Sequence, residues 1–161
     1  DAGQDFGLKF CGMHMMDSCR IEKGFRHFGH DITCEDHVLE AGLGFAVQLN
    51  KPKFIGRTAV LRKKETGLTK RLLQFKLRES EPLLYHNEPI IRDGKITGYI
   101  SSGNYGHTLG GAIGMGYVEC ENETVNELLK SDYEIEVAGS RIKASVSAKP
   151  MYDPKAERVK L

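Results

Sequence analysis

The sequence lacks an excess of charge of either sign. Lys and Arg together number 23 and Asp and Glu 22, leaving a formal net charge of +1. No global field draws in nucleic acid or a membrane surface, so neither is expected as a partner and any anion site must be local. Long hydrophobic runs are also missing: nothing approaches the ~20 apolar residues of a membrane span. Cysteine is scarce. Cys11, Cys19, Cys34 and Cys120 lie 8, 15 and 86 positions apart, which fits neither a CxxC metal clip nor a dense disulfide framework. Reduced, mostly buried thiols in a reducing compartment are the expectation, with the cytoplasm first and the mitochondrial matrix as the alternative.

Glycine is plentiful, at 18 residues, and sits in turns and glycine-spaced strands. That favours a β-rich body. Hydrophobic residues at 40% and charged residues at 28% describe a globular chain rather than a disordered one. The opening Asp1-Ala2-Gly3-Gln4 reads as the tail of a helix ending at Gly3, and a fragment of a longer polypeptide is expected.

Helical spacing appears first over residues 13–23, where Cys11, Met15 and Cys19 form an apolar stripe and Gly24 offers a C-cap. Leu39 to Leu49 reads as a strand broken by Pro52. A helix is expected from Phe54-Ile55-Gly56-Arg57 to about Glu65, stopped by Gly67. From Lys70 the period changes to two. Strands are expected around Leu72–Leu77, Pro89–Arg92, Lys95–Ser102, Gly111–Val118, Tyr133–Val137 and Arg141–Ala148. Asp93-Gly94 and Ala138-Gly139 punctuate two hairpins, and Asp-Gly suits a type I′ turn. Thr124 caps a short helix. Several short strands with turn signals argue for a small antiparallel barrel. The fold class is therefore α+β, with a unit boundary near Gly67 to Lys70 that divides the chain into 1–68 and 69–161.

Two features invite other chemistry. His27, His30, Asp31, Cys34, Glu35, Asp36 and His37 crowd one loop, but a structural zinc needs four ligands at disciplined spacing and no second Cys/His pair follows. Gly110 to Gly116 is glycine-rich, yet no Lys-Ser/Thr follows to make a phosphate loop. The basic stretch Arg62-Lys63-Lys64 to Lys70-Arg71 reads as a solvated helix end.

The run Arg20-x-Glu22-x-Gly24, then Gly29, Asp31, Glu40 and Gly42, resembles the signature of the glycine-cleavage T-protein (aminomethyltransferase) superfamily. It is most similar to the folate-binding C-terminal module of dimethylglycine and sarcosine dehydrogenases. Phe54-Ile55-Gly56-Arg57, Ile96-Thr97-Gly98, Ser101-Ser102-Gly103, Ile113–Val118 and Pro150-Met151-Tyr152-Asp153-Pro154 match its later motifs in order. The resemblance implies tetrahydrofolate as cofactor, FAD in an upstream domain, and one-carbon transfer from N-methyl amines. It implies that the family's catalytic aspartate belongs to the preceding half, so this chain carries no catalytic residue and is inactive alone.

Among this chain's residues the resemblance assigns folate contacts to Arg20, Phe28 and Glu22. A guanidinium fork grips a carboxylate or ring oxygen; the other reading of Arg20 is an ion pair with Asp17 or Glu22. Phe28 can stack on a pterin or fill a core. Glu22 can orient Arg20 or a loop backbone. The upstream half of the same protein is the expected partner, with self-association through apolar surface at Phe25, Phe45 and Val47. A regulatory module like that of the pyruvate dehydrogenase phosphatase regulatory subunit, and a folate-dependent demethylase of another methylated compound, are the alternatives.

Overall fold

The structure, a computed structural model, describes residues 2–160. Helix α1 spans Met13–Glu22 and α2 spans Arg57–Thr66, with 3-10 turns at Gln4–Phe6 and Gly44–Ala46. Six strands follow: β1 Lys70–Leu77, β2 Pro89–Arg92, β3 Lys95–Gly106, β4 Gly111–Glu119, β5 Tyr133–Val137 and β6 Ser140–Ser147. A four-residue helix α3, Val125–Leu128, links β4 to β5, and a 3-10 turn at Glu157–Val159 follows β6. The strands close into an antiparallel barrel in the order β1-β4-β3-β2-β5-β6.

Turn chemistry closes the barrel where the sequence places it. Asp93 and Gly94 take φ +50° and +85°, and Ala138 and Gly139 take +49° and +80°, both central residues left-handed as a type I′ turn requires. α3 carries the capping box expected of Thr124, with Glu127 returning the hydrogen bond. β3 and β4 approach closely at Gly98, where a Cβ would stand 1.9 Å from the Tyr117 carbonyl oxygen. The interior is filled by Leu73, Phe75, Leu77, Ile90, Ile100 and Ile135, among others.

β1 is buried on both faces. Leu73, Phe75 and Leu77 point into the barrel, while Leu72 packs outward with Ile21 of α1 and with Ile113 and Met115 of β4. Gln74 lies on that outward face and donates Nε2 to the Ile21 carbonyl at 2.6 Å. This double burial explains why Leu72 and Leu73, on opposite faces of β1, are both apolar.

Five expectations need correction. Leu39 to Leu49 forms turns and a 3-10 segment rather than a strand. Gly42 takes φ +72°, and the Leu39 carbonyl accepts from the Gly42 N–H and Arg71 Nη1 and the Glu40 carbonyl from the Leu72 N–H, rather than in a ladder. The side of α1 that docks is Ser18, Ile21 and Glu22, while Met15 and Cys19 are exposed. Three of the four cysteines are exposed and Cys120 alone is buried. Gly3 precedes the first 3-10 turn instead of ending a helix. The basic stretch is also less solvated than expected: Lys63 pairs with Glu40 at 2.7 Å and Lys70 with Asp36 at 2.6 Å.

Glu40 ties the loop to the barrel and gives a pH prediction. Burial raises its pKa, but the Lys63 ammonium and the Thr69 amide and hydroxyl outweigh burial and hold its carboxyl below the usual glutamate range. A folded pKa below the unfolded one adds stability that is fully present above the unfolded pKa, about 4.3. That stability is lost as pH falls through the folded value. Glu40→Gln is expected to flatten the acid limb of the stability–pH curve, read from urea midpoints between roughly pH 3 and 7. An unchanged acid limb would contradict this role.

Candidate functional site

α1 ends in a Schellman motif. The Gly24 N–H donates to the Ile21 carbonyl and the Phe25 N–H to the Arg20 carbonyl, both at 2.8 Å, with Gly24 at φ +63°. That turn reverses the chain so that residues 25–32 run back past the helix end. Asp31 is thereby carried to full burial, at 0% exposure.

Asp31 organises the site. Its Oδ2 accepts from Arg20 Nη1 at 2.5 Å and from the His27 N–H at 2.9 Å, and its Oδ1 accepts from Ser101 Oγ at 2.5 Å. Arg20 is fully engaged. Nε donates to Asp17 at 3.0 Å and Nη2 to Ser102 Oγ at 2.9 Å. Ser101 and Ser102 both reach this cluster because the β3–β4 register slips between Ile100 and Ser102, and a bulge can re-aim a side chain in this way.

A cleft of about 240 Å³ opens between α1, the 27–30 loop, the 83–86 loop and β3. Arg20, His27, His30, Tyr85, His86 and Ser102 are among its walls. Its volume falls below the roughly 300–1,000 Å³ of drug-sized ligand sites.

The three residues singled out from the sequence separate here. Arg20 lines the cleft. Glu22 turns away from it: its Oε1 accepts from the Thr108 and Leu109 N–H groups at 2.7 and 2.9 Å, bracing the β3–β4 turn against α1. Phe28 is 70% exposed and outside the cleft wall, so it packs no core here. Sequence reasoning passed over Tyr85 and His86, which no motif marks. It read Asp31 and Ser101 as motif positions without linking them, and they are 70 residues apart.

Apolar surface is bare on the N-terminal part. Phe6, Phe10, Phe25, Phe28, Phe45 and Ile55 are each more than 60% exposed, while Val47 is half-buried. Scattered apolar residues are ordinary on a surface; a contiguous patch is what marks a contact surface.

Residues 70–153 match the glycine cleavage T-protein C-terminal barrel domain, and residues 1–51 match the GCVT N-terminal domain. The 4-methylaminobutanoate oxidase (formaldehyde-forming) of Paenarthrobacter nicotinovorans is 41% identical over 99% of this chain and 19% of its own length. The aminomethyltransferase of Halothermothrix orenii is 42% identical over 79% of this chain and 35% of its own. Human mitochondrial sarcosine dehydrogenase is 32% identical over 99% of this chain and 18% of its own. The chain thus spans about a fifth to a third of the relatives it matches. The crystal structure of glycine cleavage system aminomethyltransferase T from Bartonella henselae superposes with a TM-score of 0.80 at 25% identity, over 94% of this chain and 42% of that one. With family models matching residues 1–51 and 70–153, most of its length, the chain belongs to the glycine cleavage T-protein family.

Proposed function

We propose that this chain is the folate-facing C-terminal portion of a tetrahydrofolate-dependent, aminomethyltransferase-like module in a dimethylglycine or sarcosine dehydrogenase-type protein. Residues 1–68 close the folate-binding domain and 69–161 form its barrel. The observation that carries this reading is the placement of Arg20. A family-motif guanidinium is held by Asp31 and Ser102 in the cleft between the two parts of the chain.

Amine oxidation on a flavin in an upstream domain would yield an iminium or formaldehyde equivalent, and tetrahydrofolate would capture it as the methylene adduct. This chain's part is orientation. Arg20 fits an anionic or carbonyl oxygen of the folate, because the Asp17 that neutralises its outer edge sits at the surface, where a ligand carboxylate can replace it. Phe28 is free to stack on a ring held between this chain and the upstream half. Glu22 acts through the β3–β4 turn. The carboxylate that assists the folate amine belongs to the upstream half, so the isolated chain is inactive. That half also covers the bare phenylalanines. A reducing compartment suits the exposed thiols, and the mitochondrial matrix meets that requirement as the cytoplasm does.

The test is tetrahydrofolate affinity of the full-length protein. Arg20→Ala is expected to cost about 1.5–3 kcal/mol, the range for an ionic hydrogen bond, and Arg20→Lys to recover only part of it. Unchanged affinity in Arg20→Ala would remove Arg20 from the site. A protein that binds no folate at all would favour the regulatory alternative.

A further inference from the structure

A partly buried arginine ordinarily has an acid beside it, since a charge taken out of water without a counter-charge is costly. Arg26 and Arg71 are bound only by neutral groups. Arg26 donates Nε to the Ala41 carbonyl at 3.1 Å and Nη1 to the Gly24 carbonyl at 2.6 Å; Arg71 donates Nη1 to the Leu39 carbonyl at 2.7 Å. These bonds explain why both residues hold the 39–42 loop. They leave three donors over. Arg71 Nε is buried without an acceptor, and the Nη2 groups of both residues donate to no acceptor among the described residues.

Those two Nη2 groups converge. The point where a Gly42 side chain would begin lies 2.8 Å from Arg26 Nη2 and 3.8 Å from Arg71 Nη2. Gly42 takes φ +72°, a conformation other residues resist, and a side chain there would collide with Arg26 Nη2, so the glycine lets the two like charges sit beside it. The buried Tyr117 hydroxyl, also without a partner, belongs to the same electrostatic neighbourhood as Arg26.

The carboxylates around the pair are committed elsewhere. Asp31 is taken by Arg20, Ser101 and the His27 N–H. Glu40 is taken by Lys63 and Thr69, and Asp36 by Lys70 and Thr33. Arg71 has the Cys120 thiol as its titratable neighbour. Burial pushes both guanidinium groups below their ordinary pKa; at Arg26 the nearby Asp31 carboxylate offsets part of this, and Arg71 lowers it again.

We propose that Arg26 and Arg71 form, beside Gly42, a binding site for an oxyanion of the carboxylate or phosphate class, separate from the Arg20 cleft. Two forks whose Nη2 groups flank Gly42 suit an acceptor with two or three oxygens reaching both, and its charge would relieve the repulsion between them. The site is local, as a chain of net charge +1 requires of any anion site. It does not rest on the folate reading.

The experiment follows the arginine Nε–H resonances of the chain by NMR during titration with inorganic phosphate or acetate, with sodium chloride at matched ionic strength as control. The Arg26 and Arg71 signals are expected to move saturably. A response to phosphate alone assigns a phosphate ligand, and a response to both assigns a carboxylate-type one. Arg26→Lys and Arg71→Lys are each expected to weaken the apparent Kd about tenfold, as for one lost ionic hydrogen bond. Should either variant fold poorly, the wild-type titration decides. Shifts that grow linearly with salt, an equal response to chloride, or a Kd weakened by Arg20→Lys but by neither other variant would overturn the proposal.

Discussion

Asp31→Ala is expected to destabilise the chain by about 3–5 kcal/mol, the cost of breaking a buried ion pair from one side. The carboxylate is at 0% exposure and satisfies a guanidinium, a hydroxyl and a backbone amide at once. Removing it leaves Arg20, 15% exposed at its side chain, with Asp17 as its remaining carboxylate. It also leaves Ser101 Oγ and the His27 N–H without their acceptor. Asp31→Asn should be milder, because one oxygen can still accept from His27 or Ser101. Denaturant unfolding measures both. A loss below about 1 kcal/mol for alanine would put the pair in the surface class, with Arg20 resting on Asp17 and solvent. The same variant should weaken any ligand held by Arg20, since the guanidinium would lose the group that aims it.

Phe75→Ala is expected to cost a similar amount, about 3–5 kcal/mol for a large-to-small change in a closed core. The ring is at 0% exposure and meets Tyr133 edge-on, with centroids 5.4 Å apart. β1 pairs with both β4 and β6, so this side chain sits where the barrel closes. The cavity would open beside the Tyr133 ring, whose hydroxyl is buried without a partner and whose pKa burial has pushed up to about 12. Water entering to satisfy that hydroxyl would lower the cost. Phe75→Leu refills most of the space and should lose less than half as much. Thermal or urea unfolding that finds alanine and leucine equivalent would show that the barrel collapses freely around this position.

The barrel was legible because its signals are local. Alternation in β5 and β6 and the Asp93-Gly94 and Ala138-Gly139 pairs act over a few residues, and no distant partner had to be guessed. α1 was legible as a helix but its buried face was not. A hydrophobic stripe marks the buried side only when burial is apolar. This helix docks through Ile21 together with Ser18, whose hydroxyl donates to the Tyr105 carbonyl, and Glu22, which accepts from the β3–β4 turn. Leu39 to Leu49 misled because apolar residues with small spacers satisfy a strand pattern equally well, and a left-handed Gly42 is invisible to that pattern. The candidate site was half legible. Arg20 and Asp31 lie in one motif, but their joining to Ser101 and Ser102 needs a strand bulge and a separation of 70 residues or more.

The central claim is that this chain supplies one wall of a folate site whose other wall lies in the upstream half of the same protein. Calorimetric titration with tetrahydrofolate, of the 161-residue chain and of the full-length protein in parallel, tests it most directly. Saturable one-to-one binding by the full protein, with binding by the chain alone at least a hundredfold weaker, is the predicted result; about 2.7 kcal/mol or more would then come from the second wall. Tight stoichiometric binding by the isolated chain would contradict the account, because the site would be complete without the upstream half.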